Sequence, residues 1–259
     1  MTRSILILGG TADARLLAGK IADESGYRIL LSMAGRTKEP AKQPVPVRVG
    51  GFGGAAGLKT FLTEGGFDLL VDATHPYAAR ISANAAEAAR LTGVPLVSLS
   101  RPAWVEEKGD RWERVGSVEE AVTALGSIRR YAFLALGRQE LLPFETAPQH
   151  SYLIRSVDPV EPPLAVPNAR YMTARGPFAL ADEIAMLKGN DIDVIVSKNS
   201  GGAAAYAKIE AARVLGIPVI MIDRPPRLQS SAIGMEVLDI ETALTAIRHQ
   251  LSLLEKRGE

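Results

Sequence analysis

The chain has 259 residues, 47% of them hydrophobic and 23% charged, with 30 Lys+Arg against 29 Asp+Glu for a formal charge of +1. That length accommodates two domains, each able to bury a core, and the balanced charge gives no reason to invoke nucleic acid or an anionic membrane surface. The absence of cysteine excludes disulfides, thiolate nucleophiles and Cys-ligated zinc, and His75, His150 and His249 lack metal-ligand spacing, so no metal site is expected.

In chain order, short apolar runs alternate with alanine-rich helical ones. Strands are predicted at 4–8, 28–32, 45–49, 69–72 and 96–99, with helices at 12–22, 56–64 and 80–91. A strand beginning at residue 4 is expected to leave no room for a signal peptide. No apolar run approaches the ~20 residues of a membrane span, and a cytoplasmic protein is expected. The strands are apolar at nearly every position, as in a parallel sheet covered by helices on both faces. The expected fold class is α/β, with two Rossmann-like domains of parallel sheets flanked by helices.

Residues 101–116, RPAWVEEKGDRWERVG, interrupt the rhythm and suggest a connector or small antiparallel ribbon. The alternation then resumes. Helix is predicted at 118–125, strands at 131–136, 152–156 and 171–173, helix at 178–187, strand at 194–197, helix at 203–215, strand at 219–222, and a last helix from 240 to about 257. The expected domains are 1–115 and 116–259. The halves echo each other: FDLLVDATHPYAARISANAAEAARLTGVPLVSLSRP, from residue 67, parallels IDVIVSKNSGGAAAYAKIEAARVLGIPVIMIDRP, from residue 192. Such a repeat makes the turns 72–75 and 197–200 equivalent, both at carboxyl ends of strands, where open α/β sheets bind ligands.

Gly9, Gly10, Thr11 and Ala12 lie where the first strand passes into the first helix. A helix start offers unpaired N–H groups and the positive end of a dipole, so it favours phosphate. Against GxGxxG the register is Gly9, Thr11, Ala14, a degenerate fingerprint that would equally suit a turn binding nothing. The second strand ends in SMAGRT without the acid that would bind a ribose 2′-OH. Ser32, Gly35, Arg36 and Thr37 there suit a 2′-phosphate instead, because guanidinium meets phosphate through paired, charge-assisted hydrogen bonds. A solvated loop arginine is the plainer alternative. The third strand runs into VGGFGG, whose Gly51 and Gly53 would let the chain pass close to a nucleotide or make a flexible turn.

Taken jointly, ILILGGTADAR, SMAGR, VRVGGFGG, VDATHPYA, LSRPAW, LALGRQEL and VSKNSGG resemble the precorrin-6A reductase family of cobalamin biosynthesis, over nearly the whole chain. The resemblance implies two α/β domains with a cleft between them. It also implies NADPH-dependent reduction of one carbon–carbon double bond of the macrocycle to give precorrin-6B. An anaerobic branch of the family acts on the cobalt-bearing substrate. Carried onto this chain, it supports Gly10, Thr11, Ala12, Arg36, Gly51 and Gly53 on the NADPH side.

In VDATHPYA, Thr74 can donate to a phosphate or a nicotinamide amide. His75 and Tyr77 suit proton transfer, against the alternatives of a loop-orienting histidine and a packed tyrosine. A polycarboxylate tetrapyrrole calls for cations, and Arg15, Arg80, Arg138, Arg175 and Lys198, with Asn199 and Ser200, are the candidates at turns. Each could instead be solvated surface. A carbonyl reductase of the short-chain type needs Tyr-x-x-x-Lys, and Tyr206 and Lys208 stand at the wrong spacing. A protein that senses NADP(H) without chemistry is the remaining alternative.

Overall fold

The computed structural model describes residues 2–35, 41–225 and 234–255. The chain divides into two units, Met1–Pro102 with Pro225–Glu259, and Ala103–Arg224. It begins with β1 (Arg3–Leu8), α1 (Ala12–Ala22), β2 (Tyr27–Met33), β3 (Val47–Val49), α2 (Gly54–Glu64), β4 (Leu69–Asp72), α3 (Ala79–Thr92) and β5 (Leu96–Leu99). The second unit follows with β6 (Trp112–Val115), α4 (Val118–Ala124), β7 (Tyr131–Ala135), β8 (Ser151–Ser156), β9 (Ala169–Thr173), α5 (Leu180–Gly189), β10 (Val194–Lys198), α6 (Ala207–Leu215) and β11 (Val219–Ile222). The chain then returns to the first unit for β12 (Gly234–Val237) and α7 (Ile240–Glu255).

Each unit is built on a six-stranded sheet, ordered β12-β5-β4-β1-β2-β3 in the first and β6-β11-β10-β7-β8-β9 in the second. All pairings are parallel. The α/β class with two parallel, helix-flanked sheets is therefore as the sequence predicts. In β1 the buried side chains split by parity. Ile5 and Ile7 join a core with residues of α1 and α7, whereas Leu6 and Leu8 join one with residues of α2 and α3. A strand buried on both faces needs apolar residues at successive positions, which is why these runs do not alternate.

Two expectations are corrected. Residues 112–115 form no antiparallel ribbon; they are β6, which pairs in parallel with β11. The units also do not meet at a cut between 115 and 116, because β6 belongs to the second sheet while β12 and α7 belong to the first. The first sheet thus takes its sixth strand, β12, from beyond its run of five, whereas the second is built from the six consecutive strands β6 to β11. The internal echo is structural: β4-α3-β5 and β10-α6-β11 hold the same places in their sheets. Boundary differences are small. The helix expected from 203 begins with a 3-10 turn, Ala203–Ala205, and α6 proper starts at Ala207.

The second unit buries charge. Arg155 pairs with Glu183, both under 10% exposed, and its guanidinium carbon lies 3.8 Å from the Phe178 ring centroid. Lys208, 4% exposed, donates to Ala205 O at 2.8 Å and lies 4.7 Å from the Trp104 ring centroid.

Candidate functional site

Strand order in the first unit reverses between β1 and β4, so the chain leaves these neighbours on opposite sides and opens a crevice at their carboxyl ends. Gly9 and Gly10 do different work there. A Cβ on Gly9 would come within 2.6 Å of the Leu31 side chain and 3.0 Å of Ala14 Cβ, so glycine is what lets α1 lie close on the sheet. Gly10 has φ 108°, a conformation L side chains rarely adopt, and a Cβ there would meet open space. Thr11 is the N-cap of α1, its Oγ1 accepting from Ala14 N at 3.0 Å. The same hydroxyl donates to Ala73 O, 2.9 Å away beyond β4, so it ties the two lips of the crevice together. Ala12 is exposed at the first helical position.

The first turn of α1 also carries Asp13, an acid next to a would-be phosphate site. Arg101, just beyond β5, pairs with it at 2.9 Å and neutralises it. Sequence reasoning passed over Arg101; the shared Arg-Pro exit of the repeat was its available signal.

At the end of β2, Ser32 is buried and Gly35 exposed, while Arg36 and Thr37 lie outside the described residues. Gly51 and Gly53 are exposed on the loop between β3 and α2. Arg48, which the sequence did not single out, donates to Gly50 O at 2.6 Å and Gly51 O at 2.7 Å, within that loop.

Beyond β4, Asp72 Oδ1 accepts from Thr74 N at 3.0 Å and from Thr74 Oγ1 at 2.6 Å. The Thr74 hydroxyl proton is thus directed at Asp72 rather than outward. His75 Nδ1 accepts from Tyr77 N at 3.3 Å, and the two rings are tilted with centroids 5.6 Å apart. A ring nitrogen that accepts is unprotonated, so the neutral imidazole carries its proton on Nε2. Arg15 and Arg80 are exposed on α1 and at the start of α3.

The equivalent reversal in the second unit falls between β7 and β10. No α-helix follows β7, only 3-10 turns at Arg138–Glu140 and Leu142–Thr146. Arg138 pairs with Asp158 at 3.1 Å and donates to Pro159 O at 3.2 Å. Lys198, at the end of β10, pairs with Glu140, so the turns after β7 and β10 are joined by charge. Asn199 is 4% exposed, and its side chain is committed to the backbone of Trp104. Ser200 is half-buried and its N–H donates to Lys198 O at 2.8 Å. Arg175 is exposed beyond β9. The structure thus brings Arg138, Lys198, Asn199 and Ser200 to one sheet edge, with two of them already charge-balanced. A recess of about 360 Å³ in this unit lies at the opposite edge, against Tyr131, Ser151 and Ala169 at the strand starts. Among the described residues there is no group of three or more His, Cys, Asp or Glu able to hold a metal ion. No helix among them is long and apolar enough to cross a membrane.

Comparison with known proteins supplies the remaining evidence. The family described as precorrin-6x reductase CbiJ/CobK matches residues 4–248. The precorrin-6A reductase of Sinorhizobium sp is 56% identical over 248 residues, covering 96% of this chain and 94% of the relative. A solved structure of CobK precorrin-6A reductase superposes with a TM-score of 0.90 at 45% identity, covering 96% of this chain and 97% of that one. The cobalt-precorrin-6A reductase of Priestia megaterium is more distant, 29% identical over 233 residues, covering 85% of this chain and 90% of the relative.

Proposed function

The chain belongs to the precorrin-6x reductase family, and we propose that it uses NADPH to reduce one carbon–carbon double bond of precorrin-6A, giving precorrin-6B in cobalamin biosynthesis. A reductase with this fold calls for a nicotinamide cofactor, which supplies the hydride. Supporting the metal-free substrate is the contrast in identity, 56% to a relative named for precorrin-6A against 29% to one named for the cobalt form.

The observation that carries the cofactor assignment is the difference between the two sheet reversals. In the first unit the strand before the reversal runs through a glycine turn into an eleven-residue helix; in the second it runs into a three-residue 3-10 turn. Only the former offers a stack of aligned N–H groups to a pyrophosphate. The open space beside Gly10 and the first turn of α1 fit that group. Thr11 fixes the helix start, Gly9 and Ala14 allow its close approach to the sheet, and Ser32, Gly35, Arg36 and Thr37 hold the adenosine side, with Arg36 and Thr37 on the 2′-phosphate. Gly51 and Gly53 form the adjoining wall.

Reduction of a carbon–carbon double bond also needs a proton at the neighbouring carbon. With Nδ1 accepting from the Tyr77 N–H, the neutral His75 ring can orient a proton donor through Nε2–H, and it supplies the proton itself only as imidazolium; the Tyr77 hydroxyl is the other candidate on the same turn. The groups able to take a substrate carboxylate are Arg15 and Arg80 in the first unit and, in the second, Arg138, Arg175 and Lys198 with Asn199 and Ser200.

The test is to mix the protein with NADPH and precorrin-6A and follow the nicotinamide absorbance band. Substrate-dependent oxidation is expected. Its absence with folded protein overturns the assignment, and faster turnover of the cobalt-bearing substrate would move the protein to the other branch.

A further inference from the structure

We infer that Arg48 is a positioning residue of the nucleotide site, shaping the loop between β3 and α2 before any ligand arrives; this rests on the NADPH reading above. The loop has four glycines in the five positions 50–54, a composition that leaves its backbone free to wander unless something outside it imposes a shape. Arg48 imposes it. Nη1 donates to Gly50 O at 2.6 Å and Nη2 to Gly51 O at 2.7 Å, so two successive carbonyls are fixed by one rigid fork. The guanidinium is itself held, its central carbon 4.0 Å from the Phe52 ring centroid and 5.1 Å from that of Phe61. Phe52 and Phe61 meet edge to face with centroids 5.2 Å apart.

The far side of the loop is seated as well. A Cβ on Gly57 would stand 1.7 Å from Phe52 O, so the loop backbone rests on α2 where only glycine leaves room. Arg48 also faces Ser32 across the β2–β3 register, with Nη1 3.4 Å from Ser32 Oγ, which joins the loop to the end of β2. The fork therefore serves carbonyl oxygens and a hydroxyl of the protein itself. Its consequence is preorganisation: a loop already in its binding shape does not lose conformational entropy when the nucleotide lands. Both NADPH and NADH benefit equally, because the effect does not read the 2′-phosphate. Arg36 has the opposite signature.

The experiment uses the full chain with Arg48→Ala and Arg48→Lys, checked for folding by thermal unfolding. Affinity for NADPH and NADH is measured by nucleotide fluorescence, and amide exchange is followed across residues 50–54. Both variants are expected to weaken both nucleotides by the same factor, about tenfold, with kcat within about twofold of wild type, and to speed exchange in the loop. Lysine is expected not to rescue, since a single ammonium cannot span two carbonyls and stack on two rings. Affinity loss confined to NADPH would overturn the inference in favour of direct phosphate contact. Unchanged affinity for both nucleotides, or full rescue by lysine, would overturn it too. Wild-type protein that binds neither nucleotide overturns the cofactor reading and this inference together; wild type that binds both while Arg48→Ala binds them equally well overturns the inference alone.

Discussion

The side-chain amide of Asn199 grips the backbone of Trp104 from both sides, Oδ1 accepting from Trp104 N at 2.7 Å and Nδ2 donating to Trp104 O at 2.9 Å. Asn199 O also accepts from Arg224 Nε at 2.8 Å, so one buried residue at the end of β10 holds the segments near both ends of the second unit. Asn199→Ala strands two backbone groups and is expected to cost roughly 2–4 kcal/mol in denaturant unfolding. Asn199→Asp is expected to be no better at neutral pH, where a carboxylate faces Trp104 O, and to recover as acidification lets the carboxyl donate. An unfolding midpoint within error of wild type for both variants would show that the grip contributes nothing.

Thr11 serves two acceptor–donor relations at once, capping α1 and bridging to Ala73 O. Thr11→Val removes both and is expected to lower stability by about 1–3 kcal/mol and to weaken NADPH binding. Thr11→Ser keeps the hydroxyl and is expected to restore both properties. Restored stability without restored binding would separate the cap from the cofactor.

Arg36→Ala is expected to weaken NADPH by about 1.5–3 kcal/mol, the contribution of a charged hydrogen-bonded pair, with little change for NADH. Equal losses for the two nucleotides would show that Arg36 does not read the 2′-phosphate.

Lys198 is balanced by Glu140, so the two residues should move substrate binding in opposite directions. Lys198→Ala is expected to raise the KM for precorrin-6A about tenfold or more. Glu140→Gln removes a competing carboxylate and is expected to lower it. Neither should change the KM for NADPH, and parallel changes in both constants would place these residues outside substrate recognition.

Burial, with the Arg155 charge nearby and only partly offset by Glu183, pushes the Lys208 ammonium down to about 7. Its position in the first turn of α6 adds the unfavourable end of the helix dipole. Between about 7 and the ordinary lysine value of 10.5, the unfolded chain holds a proton that the folded one has released. Stability should therefore rise with pH across that window relative to Lys208→Met, by on the order of a few kcal/mol in all. The check is the difference in unfolding free energy between the two proteins at pH 6.5, about 8 and about 9.5. A difference independent of pH would mean that Lys208 stays charged in the folded protein.

Much of the site was legible from local pattern. The glycine turn of ILILGGTADAR lies where a strand must end and a helix begin, and the echo between residues 67–102 and 192–225 marks equivalent places in two sheets. Arg48 and Arg101 stand in the motifs VRVGGFGG and LSRPAW, but their roles were not legible there, because those depend on Gly50, Gly51 and Asp13, which folding brings to them. Asn199 and Thr74 were legible as polar residues on strand-end turns, but not as groups whose hydrogen bonds are spent on Trp104 and Asp72.

By itself the sequence determined the α/β alternation, the parallel character of the sheets and the strand–turn–helix that suits a nucleotide, because each depends on residues within one element or its neighbour. Only the tertiary structure decided the division of the chain. WERV of β6 and GMEV of β12 are four residues each and mostly exposed or half-buried, too short and too polar to announce a strand. Their places are set by the open edges of β11 and β5, more than a hundred residues away, whose unpaired backbone groups they satisfy. That pairing is a long-range choice, and it is why the first sheet ends in a strand from the far end of the chain and the second in the strand that opens its own unit.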